Sequence, residues 1–174
     1  MTTLAVLAIL VSLAAPSFND LIRDNRLSTQ LNDFVASLHN ARSEAVKRGI
    51  EITVCKSADN ATCTVGGNWE QGWLVFIDDN GDEQVDAGET ILNAGSALGG
   101  DNTLTGNANV ADVIKFDSRG FSQGFNGTLT LCDARGASSA RGIVISNTGR
   151  VRRAADMDDD GIEEDGGGNA LVCP

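Results

Sequence analysis

The segment 27–49, LSTQLNDFVASLHNARSEAVKRG, decides the fold. Its apolar residues Leu27, Leu31, Phe34, Leu38, Ala41 and Ala45 recur at alternating steps of four and three. That is the repeat of one face of an α-helix, whereas a half-buried strand alternates at two. Lys47 and Arg48 stand where a helix C-terminus favours cations, and Gly49 supplies the stop. The stripe therefore predicts a helix with one buried face and something packed against it.

Phe18, Leu21 and Ile22 carry the apolar face back toward Pro16, and beyond it Leu4–Ala15, LAVLAILVSLAA, is uncharged and almost entirely apolar. Alone, that run is shorter than the roughly 20 residues of a spanning helix. It has the length of a signal-peptide core, and Leu13-Ala14-Ala15 offers small residues for cleavage, yet no basic residue precedes it. These rules leave anchor and signal peptide both open. The continuity favours an anchor, because Pro16 removes one backbone hydrogen bond and bends a helix here instead of ending it. The chain thus divides into a hydrophobic-then-amphipathic helix over 1–49 and a β-rich head over 50–174.

In the head, Ile50, Ile52 and Val54 alternate with Glu51, Thr53 and Cys55, the signal of a half-buried strand. Trp73–Ile77, Ile91-Leu92, Val113–Phe116, Thr128–Cys132 and Gly142–Ser146 follow as short strands, while residues 93–109 read as an irregular connection or weak strands. About six strands at this spacing suggest an antiparallel, sandwich-like arrangement, hence an α+β fold. Trp69 and Trp73 fit core packing better than a ligand platform. Cys55, Cys63, Cys132 and Cys173 form no CxxC pair, and the single His39 cannot complete a zinc site with them. Two disulfides in an oxidising compartment are expected. Of three pairings, Cys55–Cys63 closes a short polar loop and Cys132–Cys173 ties down a fraying end. Chain entropy gives them roughly 2.5 and 4 kcal/mol.

The net charge of −11 is concentrated in two segments. Residues 78–89 (DDNGDEQVDAGE) and 156–165 (DMDDDGIEED) hold 13 of the 24 acids and no basic residue. The remainder is close to neutral. In the first segment Asp78, Asn80, Asp82, Asp86 and Glu89 occupy alternate oxygen-ligand positions of an EF-hand-like loop, but Glu83 stands where the turn wants glycine. The bland alternative is a solvated acidic turn. In the second, Asp156, Asp158, Asp160 and Glu164 form DxDxDGxxE with Gly161 at the turn and no acid at the twelfth place. Calcium binding and disorder are the two expectations there.

The combination of an apolar helix passing a proline, ARSEA at 41–45, WEQGW at 69–73, FID at 76–78, GET at 88–90, FDSRG at 116–120 and GRVR at 149–152 resembles the FimT/GspH branch of type IV minor pilins and type II secretion pseudopilins. The resemblance covers nearly the whole chain. It implies a structural subunit and not an enzyme, and the residues offer no nucleophile elbow or phosphate-cradling loop. It implies a helix stored in the bacterial inner membrane, with the head in the periplasm, and then packed among other pilins, at the cell surface when in a pilus. It also implies packing of the helix on one sheet. Family members begin with a basic leader, a peptidase site and a glutamate early in the mature helix. This sequence has none of them, so its start is expected to lie inside the mature helix, which leaves processing and N-methylation open. In the FimT branch the GRxR pattern is linked to DNA capture, which implies Arg150, Arg152 and Arg153 as a non-sequence-specific contact to double-stranded DNA, with Arg135 and Arg141 extending it. A solvated strand end or a pilin–pilin contact is the alternative. A secreted or periplasmic calcium-binding domain behind a cleaved signal peptide is the rival to the pilin reading.

Overall fold

The apolar stripe forms as its spacing requires. In the computed structural model, which describes the backbone of residues 2–64 and 66–174 and the side chains of 18–64 and 66–174, one helix, α1, spans Thr2–Arg48 and continues through Pro16. Leu27, Leu31, Phe34, Leu38, Ala41 and Ala45 are all buried. Gly49 ends the helix at φ +70°, its amide donating to the Ala45 carbonyl at 2.9 Å. Among the described residues no helix is long and apolar enough to cross a membrane. The run Leu4–Ala15 lies outside the residues whose side chains are described.

Eight strands make two four-stranded antiparallel sheets. β1 (Ile52–Lys56), β2 (Trp73–Ile77), β3 (Ile91–Gly95) and β5 (Val113–Phe116) form the first, in the order β3-β2-β1-β5. β4 (Thr103–Gly106), β6 (Gly127–Cys132), β7 (Arg141–Ile145) and β8 (Val151–Arg153) form the second, in the order β4-β6-β7-β8. β4 and β8 lie in segments that the sequence marks weakly. TLTG ends in glycine and VRR is mostly charged, so neither has a run of apolar alternation. Both are edge strands that need only one partner.

The period of two places one set of side chains inward on each sheet. Ile52, Val54, Val75, Ile114 and Phe116 from the first sheet meet Leu104, Leu129, Leu131, Ile143, Ile145 and Val151 from the second, with the helical stripe in the same core. The helix therefore packs against both sheets, not one. Phe34 stands between Trp69 and Trp73 in edge-on contacts at 5.3 and 4.8 Å.

Each sheet also carries a small outer cluster. Cys55, Leu74 and Phe76 of the first sheet are covered by Cys63 and Val85, and the Cys55–Cys63 disulfide closes that side. Cys132 and Val144 of the second, with Ala154 just past β8, are covered by Ile162, Leu171 and Cys173, closed by Cys132–Cys173. Both acidic segments thus lie over an outer sheet face, each inserting one apolar residue beneath it.

Candidate functional site

Three surfaces carry chemistry: the upstream helix face, the arginines of β8 and the two acidic loops. On the helix, Phe18, Leu21 and Ile22 lie on the face opposite the buried stripe, whose own line runs back through Asp24 and Asp20 to Arg135 of the head, and they are 66%, 53% and 49% exposed. Exposed apolar side chains in one contiguous helical patch mark an interaction surface.

The sequence motifs at 41–45, 116–120 and 149–152 converge on one junction. Arg42 Nε donates to the Gly120 carbonyl at 2.9 Å, and its Nη2 donates to the Thr148 carbonyl at 3.1 Å. Asp117 folds the 117–121 turn by accepting from the Arg119 and Phe121 amides at 2.8 and 2.9 Å. Burial works to raise the Asp117 carboxyl, but the bonds from Arg119 and those two amides outweigh it and hold it below the usual range. A Cβ on Gly149 would stand 1.9 Å from the Gly120 carbonyl oxygen, at φ +70°. Glycine is therefore required where the two turns meet. Glu44, paired with Arg48 at 2.5 Å and Lys47 at 3.3 Å, completes the helix end. These residues hold the helix to the head, a role that only their long-range contacts reveal.

The structure separates the three arginines. Arg152 and Arg153, adjacent in β8, project to opposite faces by strand alternation, Arg153 donating to Asn32 of α1, while Arg150 stands in the turn just before the strand. Arg150 is exposed and Arg152 half-buried, and among the described residues none of the three is in an ion pair with a carboxylate. Arg135 and Arg141 do not join them. Arg135 bridges Asp133 at 2.8 Å and Asp24 of the helix at 2.7 Å, which raises its guanidinium pKa well above the ordinary value. Arg141 faces Glu163 at 3.7 Å.

The two acidic loops differ in how their charge is met. Asp78 is buried beneath the first loop and accepts from Thr53 Oγ1 at 2.9 Å, Gly81 N at 2.7 Å and Glu83 N at 3.2 Å. Lys115, on the same outer face of β5, lies 3.2 Å from Glu51, 3.4 Å from Glu83 and 3.6 Å from Asp78. Burial lowers the Lys115 ammonium pKa, but these three carboxylates outweigh it and the net shift is upward. Asn80 donates its amide to Asp82 and Asp86, and Glu89 accepts from the Asp79 and Asp86 amides. The first loop thus folds around the protein's own cation, with its ligand-pattern oxygens engaged by internal donors.

In the second loop Glu163 faces Arg141, but the four ligand-pattern carboxylates have no such cation among the described residues. Ligand oxygens of Asp156, Asp158, Asp160 and Glu164 lie within 4.8 Å of one another. Among the described residues, none of the four forms an ion pair. Asp156 accepts from the Asp159 and Gly161 amides, Asp160 from Ile162, and Glu164 Oε2 from Met157 at 2.6 Å. Glu164 Oε1 is buried without a donor.

Comparison with known proteins follows this geometry. Solved structures of similar fold include the type IV minor pilin FimU of Pseudomonas aeruginosa PAO1, 22% identical with a TM-score of 0.58, covering 74% of this chain and 87% of that one. A second crystal form of FimU gives 20% identity and a TM-score of 0.57, covering 74% and 92%. The minor pseudopilin EpsH of the Vibrio cholerae type 2 secretion system is 12% identical, with a TM-score of 0.51 and coverage of 75% and 97%. No curated protein sequence matches significantly. The family model for type II transport protein GspH matches residues 30–149, from the middle of the helical stripe to the glycine at the Arg42 junction. The match spans well over half of the sequence, and the chain belongs to the GspH family.

Proposed function

We propose that the chain is a non-catalytic minor pilin or pseudopilin subunit that assembles with other pilins through α1. The observation that carries this reading is the exposed patch Phe18, Leu21 and Ile22, on the same helix whose downstream stripe is buried in the head. A helix with such a surface can exchange lipid only for another apolar bundle, so membrane storage and filament entry are alternative burials of one face. The inner membrane is the proposed site before assembly, with the head in the periplasm, and the pilus or pseudopilus the site after it. The uninterrupted backbone of α1 through Pro16 supports an anchor over a cleaved signal peptide. The test is a Leu21→Asp/Ile22→Asp chain expressed in its own cells. The head should fold with unchanged tryptophan emission, and the variant should vanish from sheared filaments or from the assembled secretion pseudopilus. Normal incorporation would defeat the proposal.

A second reading is carried by Arg150 and Arg152, two residues apart and without carboxylate partners among the described residues. Such a pair suits phosphate oxygens and would bind double-stranded DNA weakly, without sequence choice and with strong salt dependence. A low-salt mobility shift that disappears in Arg150→Ala/Arg152→Ala supports it. No shift with the unaltered chain removes it.

A further inference from the structure

We propose that Asp156, Asp158, Asp160 and Glu164 form a calcium site that staples the C-terminal flap, residues 155–173, onto the outer face of the second sheet. The proposal is independent of the assembly reading. Two observations meet here. The first is convergence: four carboxylate ligands lie within 4.8 Å, at alternating positions that let one short loop wrap a single ion, with Gly161 at φ +88° where the chain turns. The second is Glu164. Its residue is only 4% exposed, one of its carboxylate oxygens lies in that cluster, and its Oε1 is buried with no hydrogen-bond donor. A charged oxygen removed from water needs a compensating partner. Asp78 in the first acidic loop has one, the ammonium of Lys115, whereas in the second loop Arg141 meets only Glu163 and none of the four clustered carboxylates has a cation among the described residues.

The donor chemistry selects the ion. All four side chains are hard oxygen donors, without a histidine or thiolate, which excludes a preference for zinc or copper. The ligands come from one short loop, three from alternate residues and the fourth four residues on. Calcium tolerates variable coordination, whereas magnesium demands a near-ideal octahedron and gives up its waters reluctantly.

Position in the fold gives the site its consequence. The Glu164 amide donates to the Ala155 carbonyl at 3.0 Å, and Glu164 also bridges to Ala170. Glu163 accepts from the Gly142 amide of β7 at 2.8 Å, and the Leu171 amide donates to the Glu163 carbonyl at 2.9 Å. An ion held by Glu164 therefore fixes the strip that covers Val144 and Ala154 and leads to Cys173.

The full chain, stripped with EDTA, is titrated with CaCl2 and with MgCl2 by calorimetry and thermal melting. One calcium per chain is expected, with Kd on the order of 10⁻⁴–10⁻³ M or tighter, as in other extracellular loops of this kind. At about ten times Kd the melting temperature should rise by roughly 3–6 °C. Asp158→Asn/Asp160→Asn, both exposed, should weaken binding at least about tenfold, and Glu164→Gln should do the same from the buried side. Asp82→Asn/Asp86→Asn in the first loop should leave it unchanged. Absence of heat and of any melting shift at about 10 mM calcium overturns the proposal. So does an equal response to magnesium, or a loss caused by the first-loop variant instead of the second.

Discussion

Phe34→Ala tests how the helix is held to the head. Phe34 is fully buried, in the same core as Ile52, Val54 and Leu131, and touches both tryptophans edge-on at 5.3 and 4.8 Å. Truncating a buried phenylalanine costs about 3–5 kcal/mol through lost transfer energy and the cavity left behind. The two aromatic pairs place this site at the upper end, because each contributes about 0.5–1.5 kcal/mol beyond its area. Such a loss is a large part of the roughly 5–15 kcal/mol of a typical domain. The assay is built into the protein. Its only tryptophans are Trp69 and Trp73, so emission during urea unfolding reports the very contacts removed. The midpoint should fall with the slope unchanged, and the native emission should shift as the cavity opens. A loss below about 1 kcal/mol, with native emission unaltered, refutes the placement of Phe34 as the link between helix and sheets.

Other perturbations read separate parts of the structure. Arg42→Met removes both bonds to the Gly120 and Thr148 carbonyls and should cost about 1–3 kcal/mol, or roughly 2–10 °C in melting temperature. Lys115→Met leaves Asp78 buried without its counter-charge and should cost about 2–4 kcal/mol by urea unfolding, less than a fully buried pair because Glu51 and Glu83 remain hydrated. The upward shift of Lys115 contributes stability that is complete below about pH 10.4 and lost only as pH rises through the higher folded value. In acid the sign reverses. Asp59, Asp117, Asp133 and Asp165 are all held below the usual carboxylate range, so their contribution is complete above about pH 4 and lost as pH falls through their folded values. The urea midpoint should therefore stay level between pH 7 and about pH 5 and decline below about pH 4.

Much of the architecture was legible because it is local. Six helical core positions follow from steps of three and four, and β1, β2, β5, β6 and β7 follow from short apolar or β-branched runs. β4 and β8 were less visible, since TLTG and VRR are strands only by virtue of the neighbours they pair with. The site was half legible. The acidic ligand pattern stands in the sequence twice, but the residue that separates the two loops is Lys115, some 30 residues away in the chain and adjacent only through the β1–β5 pairing. The burial of Glu164 is likewise a consequence of tertiary contacts with Ala155 and Ala170. The arginines illustrate the opposite limit. Three in four residues read as one patch, yet the strand's alternation divides them between two faces and Arg153 reaches Asn32. Gly149 reads as a turn glycine in the motif, while its requirement comes from the Gly120 carbonyl across the junction.

The proposed assembly buries the exposed helical face of Phe18, Leu21 and Ile22 against other pilin helices in a filament. In-cell photo-cross-linking from position 21, followed by mass spectrometry of the filament fraction, measures this directly. Adducts to the apolar N-terminal helix of a neighbouring pilin or pseudopilin are the expected result. Adducts confined to lipid or to the chain's own head, with no cross-linked filament species, would contradict it.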